Sequence, residues 1–234
     1  MRLFAGTSGY SYKEWKGPFY PQDLPDRDML RYYSTHLPAV EINNTFYRMP
    51  GTGVLTAWAA QVPPDFRFVL KAPRKITHAK PLLEKEAEID YLFRAAATLG
   101  DRLGAVLFQL PPYLHRNTEL LAAFVDLLPS GARTAFEFRH RSWFEEEIYT
   151  LLRNKGCALC CSDGDKEELR QFVATAGWGY LRLRKPDYVE ADLSAWARRI
   201  KNQKWEAVYI FFKHEDAGAG PKLAKQFLEL ASGQ

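Results

Sequence analysis

Cysteine is scarce in this sequence. Its 234 residues include three, Cys157, Cys160 and Cys161, all in one short stretch. An odd number packed so closely is no disulfide framework. Cys157-Ala158-Leu159-Cys160 has the C-x-x-C form, but it lies inside an apolar run rather than at a helix start, so it reads as buried core thiols. Long hydrophobic runs are missing too. None approaches the ~18 residues of a membrane-spanning helix, and Leu3-Phe4-Ala5 is too short for a secretory signal. These absences predict a reducing, cytoplasmic setting and no membrane partner. Neither sign of charge dominates: 32 Lys and Arg against 28 Asp and Glu leave +4. That balance suits an anionic ligand without naming one. The turn Gly6-Thr7-Ser8-Gly9-Tyr10 lacks the glycine spacing of a dinucleotide-binding loop, and no H-E-x-x-H or similar metal-ligand spacing occurs.

What is present is alternation. Short runs rich in β-branched, aromatic and leucine residues lie at 2–6, 39–47, 66–72, 105–111, 134–140, 157–163, 179–184 and 207–213. Amphipathic stretches at 28–36, 53–61, 84–99, 118–128, 143–154, 167–175, 193–201 and 222–231 separate or follow them. Eight strand–helix repeats in strict order argue for a parallel sheet covered by helices, and repeated right-handed crossovers close into a barrel. The expected fold is α/β, a (β/α)8 TIM-like barrel, one domain over residues 1–234. A doubly wound open sheet is the competing arrangement. The loop after the first strand, 9–25, carries Tyr10, Tyr12, Trp15, Phe19 and Tyr20. Two readings stay open for it: a packed cover, or a surface on which a ligand stacks.

Side chains alternate along a strand. If Phe136 and Phe138 face the helices, then Glu137 and Arg139 point into the barrel. The same parity turns Glu41, Asn43, Thr45 and Tyr47 inward on the second strand, Lys71 on the third and Gln109 on the fourth. Asp163 ends the sixth strand, Arg182 and Arg184 alternate with leucines on the seventh, and Lys213 ends the eighth. Barrel active sites lie at these C-terminal strand ends. Buried charges need partners, so the cluster is either a structural plug of ion pairs or a binding site. Its surplus of cations suits a phosphate-like group, with one carboxylate left to act as general base. The expected catalytic residues are Glu137, Glu41 and Asp163. The expected substrate-binding residues are Lys71, Arg139, Asn43, Tyr47, Gln109, His140, Trp143, Arg182, Arg184 and Lys213. Trp143 either stacks on a ligand or wedges its helix. No metal site is assigned and no cofactor is identified; any metal would draw on His78, His140 or His214 with Glu137 or Asp163. The loop cations Arg74, Lys75, His78 and Lys80, joined to the aromatics, would also suit nucleic acid.

Several motifs carry a family resemblance. They are Gly6-Thr7-Ser8-Gly9-Tyr10, Val40-Glu41-Ile42-Asn43-Asn44-Thr45-Phe46-Tyr47 with Pro50, Trp58, and Phe66-Arg67-Phe68. Lys71-Ala72-Pro73, Ile76-Thr77-His78, Gln109-Leu110-Pro111-Pro112 and Glu137-Phe138-Arg139-His140 with Ser142-Trp143 complete the set. Together they resemble the YecE-like family, also called domain of unknown function seventy-two, over nearly the whole chain. The resemblance implies a barrel and no established activity. Near the C-terminus the sequence departs from the family pattern. It reads Arg182-Leu183-Arg184-Lys185 where Arg-x-His-Gly is expected, and Lys213-His214-Glu215-Asp216 where Asn-Asn is expected. The residues thus point to an enzyme of hydrolase or lyase type acting on an anionic, phosphate-bearing substrate. The alternative is a non-catalytic binder of nucleic acid or a phosphometabolite.

Overall fold

A computed structural model describes residues 1–79, 82–164, 171–214 and 216–233. Eight strands run in chain order: β1 (Arg2–Ser8), β2 (Ala39–Ile42), β3 (Arg67–Lys71), β4 (Leu103–Gln109), β5 (Thr134–Glu137), β6 (Ala158–Ser162), β7 (Trp178–Leu183) and β8 (Ala207–Phe212). Each pairs in parallel with the next, and β8 closes on β1. The described helices are α1 (Met29–Ser34), α2 (Thr52–Gln61), α3 (Arg74–Thr77), α4 (Glu86–Ala96), α5 (Thr118–Asp126), α6 (Glu146–Asn154), α7 (Glu190–Lys201) and α8 (Ala219–Ser232). This is the (β/α)8 barrel the alternation implied. Of the helix expected at 167–175, residues 167–170 lie outside the described residues, and 171–175 have no regular structure. Lys80 and Glu215 also lie outside them.

Strand parity divides the core in two. Phe4, Val69, Leu107, Ala135, Cys160, Tyr180 and Phe211 share the barrel interior. Val40, Phe68, Leu70, Ile210 and Phe212 meet the helices on one side, and Val106, Phe108, Phe136 and Phe138 on the other. The three cysteines are free and buried, as their apolar setting suggested.

The aromatic loop after β1 is a packed cover. Trp15 and Tyr20 are buried, and Phe19 makes edge contacts with Trp15, Tyr32 and Tyr33. The Tyr20 hydroxyl donates to the Tyr10 carbonyl, and the Tyr12 hydroxyl to the Ser8 carbonyl. The stacking reading loses these rings, because each is already engaged by its neighbours.

One close approach ties β1 to β2. A Cβ on Gly6 would sit 1.8 Å from the Ala39 carbonyl oxygen and 2.9 Å from the Tyr33 hydroxyl. That hydroxyl donates to Ala39 O and accepts from Thr7 N–H, both at 2.9 Å. Gly6→Ala must therefore push strand and tyrosine apart. The expected loss is at least about 1–3 kcal/mol, the usual range for overpacking. A lowered urea midpoint would report it, and an unchanged midpoint would contradict it.

Candidate functional site at the C-terminal mouth of the barrel

The site is built on Arg182, which rises from β7 into the barrel axis and is 2% exposed. Its Nη1 lies 2.6 Å from Glu137 Oε2, and its Nη2 lies 2.7 Å from Glu41 Oε1. One guanidinium therefore bridges two buried carboxylates delivered by β5 and β2. Register supplies further donors. Ser8 sits beside Glu41 and Gln109 beside Glu137 in the strand pairing. Ser8 Oγ donates to Glu41 Oε1 at 2.7 Å, and Gln109 Nε2 donates to Glu137 Oε2 at 2.7 Å. The Tyr180 hydroxyl donates to Glu41 Oε2 at 2.5 Å, and Asn43 Nδ2 donates to Glu41 Oε1 at 3.2 Å. Arg182 also reaches Asn43 Oδ1 at 3.3 Å.

Three more cations stand above this floor. Arg139 Nε lies 3.4 Å and Arg184 Nη2 lies 3.3 Å from Glu137 Oε1, and both side chains are part-exposed. Lys71, half-buried, places Nζ 4.2 Å from the centre of the Phe46 ring. Two acids, Glu41 and Glu137, thus face four cations. The Nε atoms of Arg182 and Arg184 are buried and make no hydrogen bond among the described residues.

These neighbours set the charge states. Burial pushes Glu41 and Glu137 upward, yet Arg182 and the hydrogen bonds outweigh it, and both end below the ordinary carboxylate value. Glu137, also facing Arg184 and Arg139, lies far below it. For Lys71, burial and then Arg182 lower the pKa, Glu137 and Glu41 oppose, and the result is about 8. His78 is lowered by burial and by the adjacent Lys71, Arg139 and Arg74.

The structure gathers Glu41, Asn43, Lys71, Gln109, Glu137, Arg139, Arg182 and Arg184 into one cluster, and disperses the other expected residues. Tyr47 is not an inward strand residue. It is 75% exposed, because the chain leaves β2 at Ile42 and turns through a 3-10 segment, Asn44–Phe46. Thr45, also expected inward, bonds instead to the carbonyls of Ile42 and Lys71. Trp143 does not meet a ligand. It is fully buried, stacks on Phe138 at 4.8 Å, and donates Nε1–H to Leu114 O at 2.7 Å. His140 turns to the loops, with its ring on His115 at 3.9 Å and Nδ1 near Ser142 Oγ at 2.8 Å. Asp163 accepts from the Arg184 N–H at 2.6 Å and from the Tyr188 hydroxyl, so its carboxylate is spent on the β7–α7 loop. Lys213 is exposed just beyond β8.

The suggested metal ligands are held apart as well. His78 Nδ1 is 2.8 Å from Thr77 Oγ1, and His214 Nε2 is 2.7 Å from Lys185 O. Among the described residues no group of three His, Cys, Asp or Glu is placed to hold a metal ion. Sequence reasoning missed Ser8 and Tyr180. Tyr180 stands two residues before Arg182 on β7, so the parity that turns one inward turns the other.

Fold and cluster together define a TIM-type barrel with a mixed-charge mouth. The chain belongs to the DUF72 family of proteins of unknown function, whose model matches residues 4–234. The UPF0759 protein YunF of Bacillus subtilis is 24% identical over 97% of this chain and 94% of that protein. The UPF0759 protein YecE of Escherichia coli is 33% identical over 53% of this chain and 47% of that protein. A solved DUF72 family protein from Thermotoga maritima is 26% identical, with a TM-score of 0.86, over 99% of this chain and 100% of that one. No helix among the described residues is long and apolar enough to cross a membrane.

Removing one partner of a buried ion pair costs about 3–5 kcal/mol, so Arg182→Met should cost that much at pH 7.5. The pH dependence carries a sign. In the native protein both glutamates sit below their ordinary 4.5, so their contribution is full above about pH 4.5 and fades as pH falls beneath it. Without Arg182, Glu41 loses the largest of the effects that hold its pKa down against burial. The deficit of the variant should therefore shrink between pH 7.5 and pH 5. Urea unfolding at both values checks this, and an equal deficit at both would refute the bridging role.

Proposed function

We propose that the C-terminal mouth binds a small anionic, phosphate-bearing substrate and that the protein is an enzyme of hydrolase or lyase type. One observation carries the reading: four cations, Arg182, Arg139, Arg184 and Lys71, share two carboxylates, Glu41 and Glu137, so the cluster keeps a positive surplus. Like charges brought together repel unless something negative sits among them. Part-exposed guanidinium groups beside an amine suit a phosphate, which accepts several charge-assisted hydrogen bonds at once.

The proton-transfer role belongs to Lys71 rather than Glu137. A carboxylate held far below its usual range by three arginines is a poor base at neutral pH. An amine near 8 is poised to give or take a proton there. A bound dianion beside Lys71 would raise its pKa and favour the ammonium form. Glu137 and Glu41 then orient Arg182, while Gln109 and Asn43, spent on the two carboxylates, hold the floor rather than the substrate.

Titration with inorganic phosphate between pH 7.5 and 9.5 tests this, since phosphate itself stays mostly dianionic there. Lys71 is charged below about 8 and loses its proton above it. Affinity should fall by about tenfold across the range, a single charge-assisted contact. Lys71→Arg should flatten the dependence, and Arg139→Gln should weaken binding at every pH. Absent binding, or the same pH profile in Lys71→Arg, would sink the assignment.

A further inference from the structure

The opposite end of the barrel holds a cavity of about 1110 Å3 where the strands begin, with Arg2, Arg67, Gly104, Arg133, Trp178 and Glu206 among its walls. Its three arginines come from separate places. Arg2 opens β1, Arg67 opens β3, and Arg133 directly precedes β5. They converge on one aromatic stack. Phe4 and Tyr209 face each other at 5.1 Å with planes 12° apart. Arg2 Cζ lies 5.9 Å and Arg67 Cζ 5.5 Å from the Phe4 centroid. Burial raises the Tyr209 phenol, and Arg133, Arg67 and Arg2 all act against that rise.

The walls carry four cations, Lys155 included, against three acids, and two of those acids are paired. Glu206 takes Arg133 at 2.5 Å, and Asp126 takes Lys155. Arg67 Nη1 reaches only backbone carbonyls, Pro64 O at 3.0 Å and Phe66 O at 2.9 Å. Asp101 is the other acid on the wall. Each guanidinium has five N–H donors, so all three arginines keep donors to offer. The floor is tight. A Cβ on Gly104 would meet the Tyr209 ring at 2.7 Å, and Trp178 stands edge-on to that ring at 5.8 Å. The Tyr209 side chain beneath is fully buried, with Arg133 set against its hydroxyl.

We propose that this N-terminal cavity is a second anion site, independent of the mouth, in which Arg2, Arg67 and Arg133 hold the phosphate group of a small phosphate ester. Convergent guanidinium groups recognise that geometry, and the volume suits a small molecule. This end of such barrels serves stability rather than chemistry. A ligand here ties the starts of β1, β3 and β5 together and stabilises the fold by mass action.

Calorimetric titration with pyrophosphate at low salt separates the two ends. Arg139→Gln/Arg184→Gln disables the mouth and should leave the N-terminal site intact, with a pyrophosphate-dependent rise in Tm. Arg2→Gln/Arg67→Gln should weaken the N-terminal site at least about tenfold and remove that rise, while mouth binding persists. Glu206→Gln frees Arg133 and should tighten the site several-fold, which keeps the idea testable if the double variant folds poorly. Pyrophosphate binding in Arg2→Gln/Arg67→Gln that matches the native protein in affinity and stoichiometry overturns the proposal. So does unchanged or weaker binding in Glu206→Gln. Loss of mouth binding alone would count against the proposed function and leave this site standing.

Discussion

Everything at the C-terminal end depends on one guanidinium. Arg182 lies between Glu41 and Glu137 with its side chain almost wholly out of water. Neither carboxylate could stay charged at that depth alone, and together they would repel. The planar fork satisfies both because β2 and β5 approach from different sides of the barrel and β7 delivers the arginine between them. A lysine, with a compact charge, could not present two separate N–H edges in this way. The bridge fixes the protonation of the floor, and the floor fixes what the rim can do.

Floor and rim answer different needs. The floor is closed: Ser8, Tyr180, Asn43 and Gln109 direct their donors to the two carboxylates. It is the structural plug that the inward charges suggested, and it explains why so many polar groups can be buried there at bearable cost. The rim is not closed. Arg139 and Arg184 share one oxygen of Glu137 at 3.3–3.4 Å, longer than a strong charge-assisted bond. The cluster therefore has two layers, a closed floor and a looser cationic rim where we place the proposed site.

The barrel was legible in the sequence because each strand is a short apolar run and clear helical stripes, as in α4 to α8, lie after most of the later ones. The site was legible where aromatic residues mark the outer face. Phe136, Phe138, Phe68 and Phe108 identify the side turned to the helices, which forces Glu137, Lys71 and Gln109 inward. Parity failed where the strand ended earlier than its composition implied. Asn43 through Tyr47 keep a β-like pattern, but the chain turns at Ile42, and Tyr47 swings out to solvent. Trp143 was ambiguous for another reason: a large ring after a strand suits a ligand or a wedge equally, and only the Leu114 carbonyl, 29 residues away in sequence, settles it. Ser8 was hidden because the Gly-Thr-Ser-Gly stretch looks like a turn, although β1 extends through it.

The two glutamates and Lys71 show why charge state, rather than residue type, assigns a role. A carboxylate near an anion site is the conventional base, and Glu137 has that position. Its neighbours deny it that task, since each arginine that makes Glu137 a firm anchor also lowers its affinity for a proton. Two of these arginines also act on Lys71. Burial first, and then Arg182 and Arg139, destabilise its ammonium form and lower its pKa to about 8. These cations thus keep the carboxylate ionised and, with burial, on the proposed reading leave the amine as the acid–base group. Arg184, 3.3 Å from Glu137 Oε1, strengthens the division between a fixed floor and a titratable amine above it.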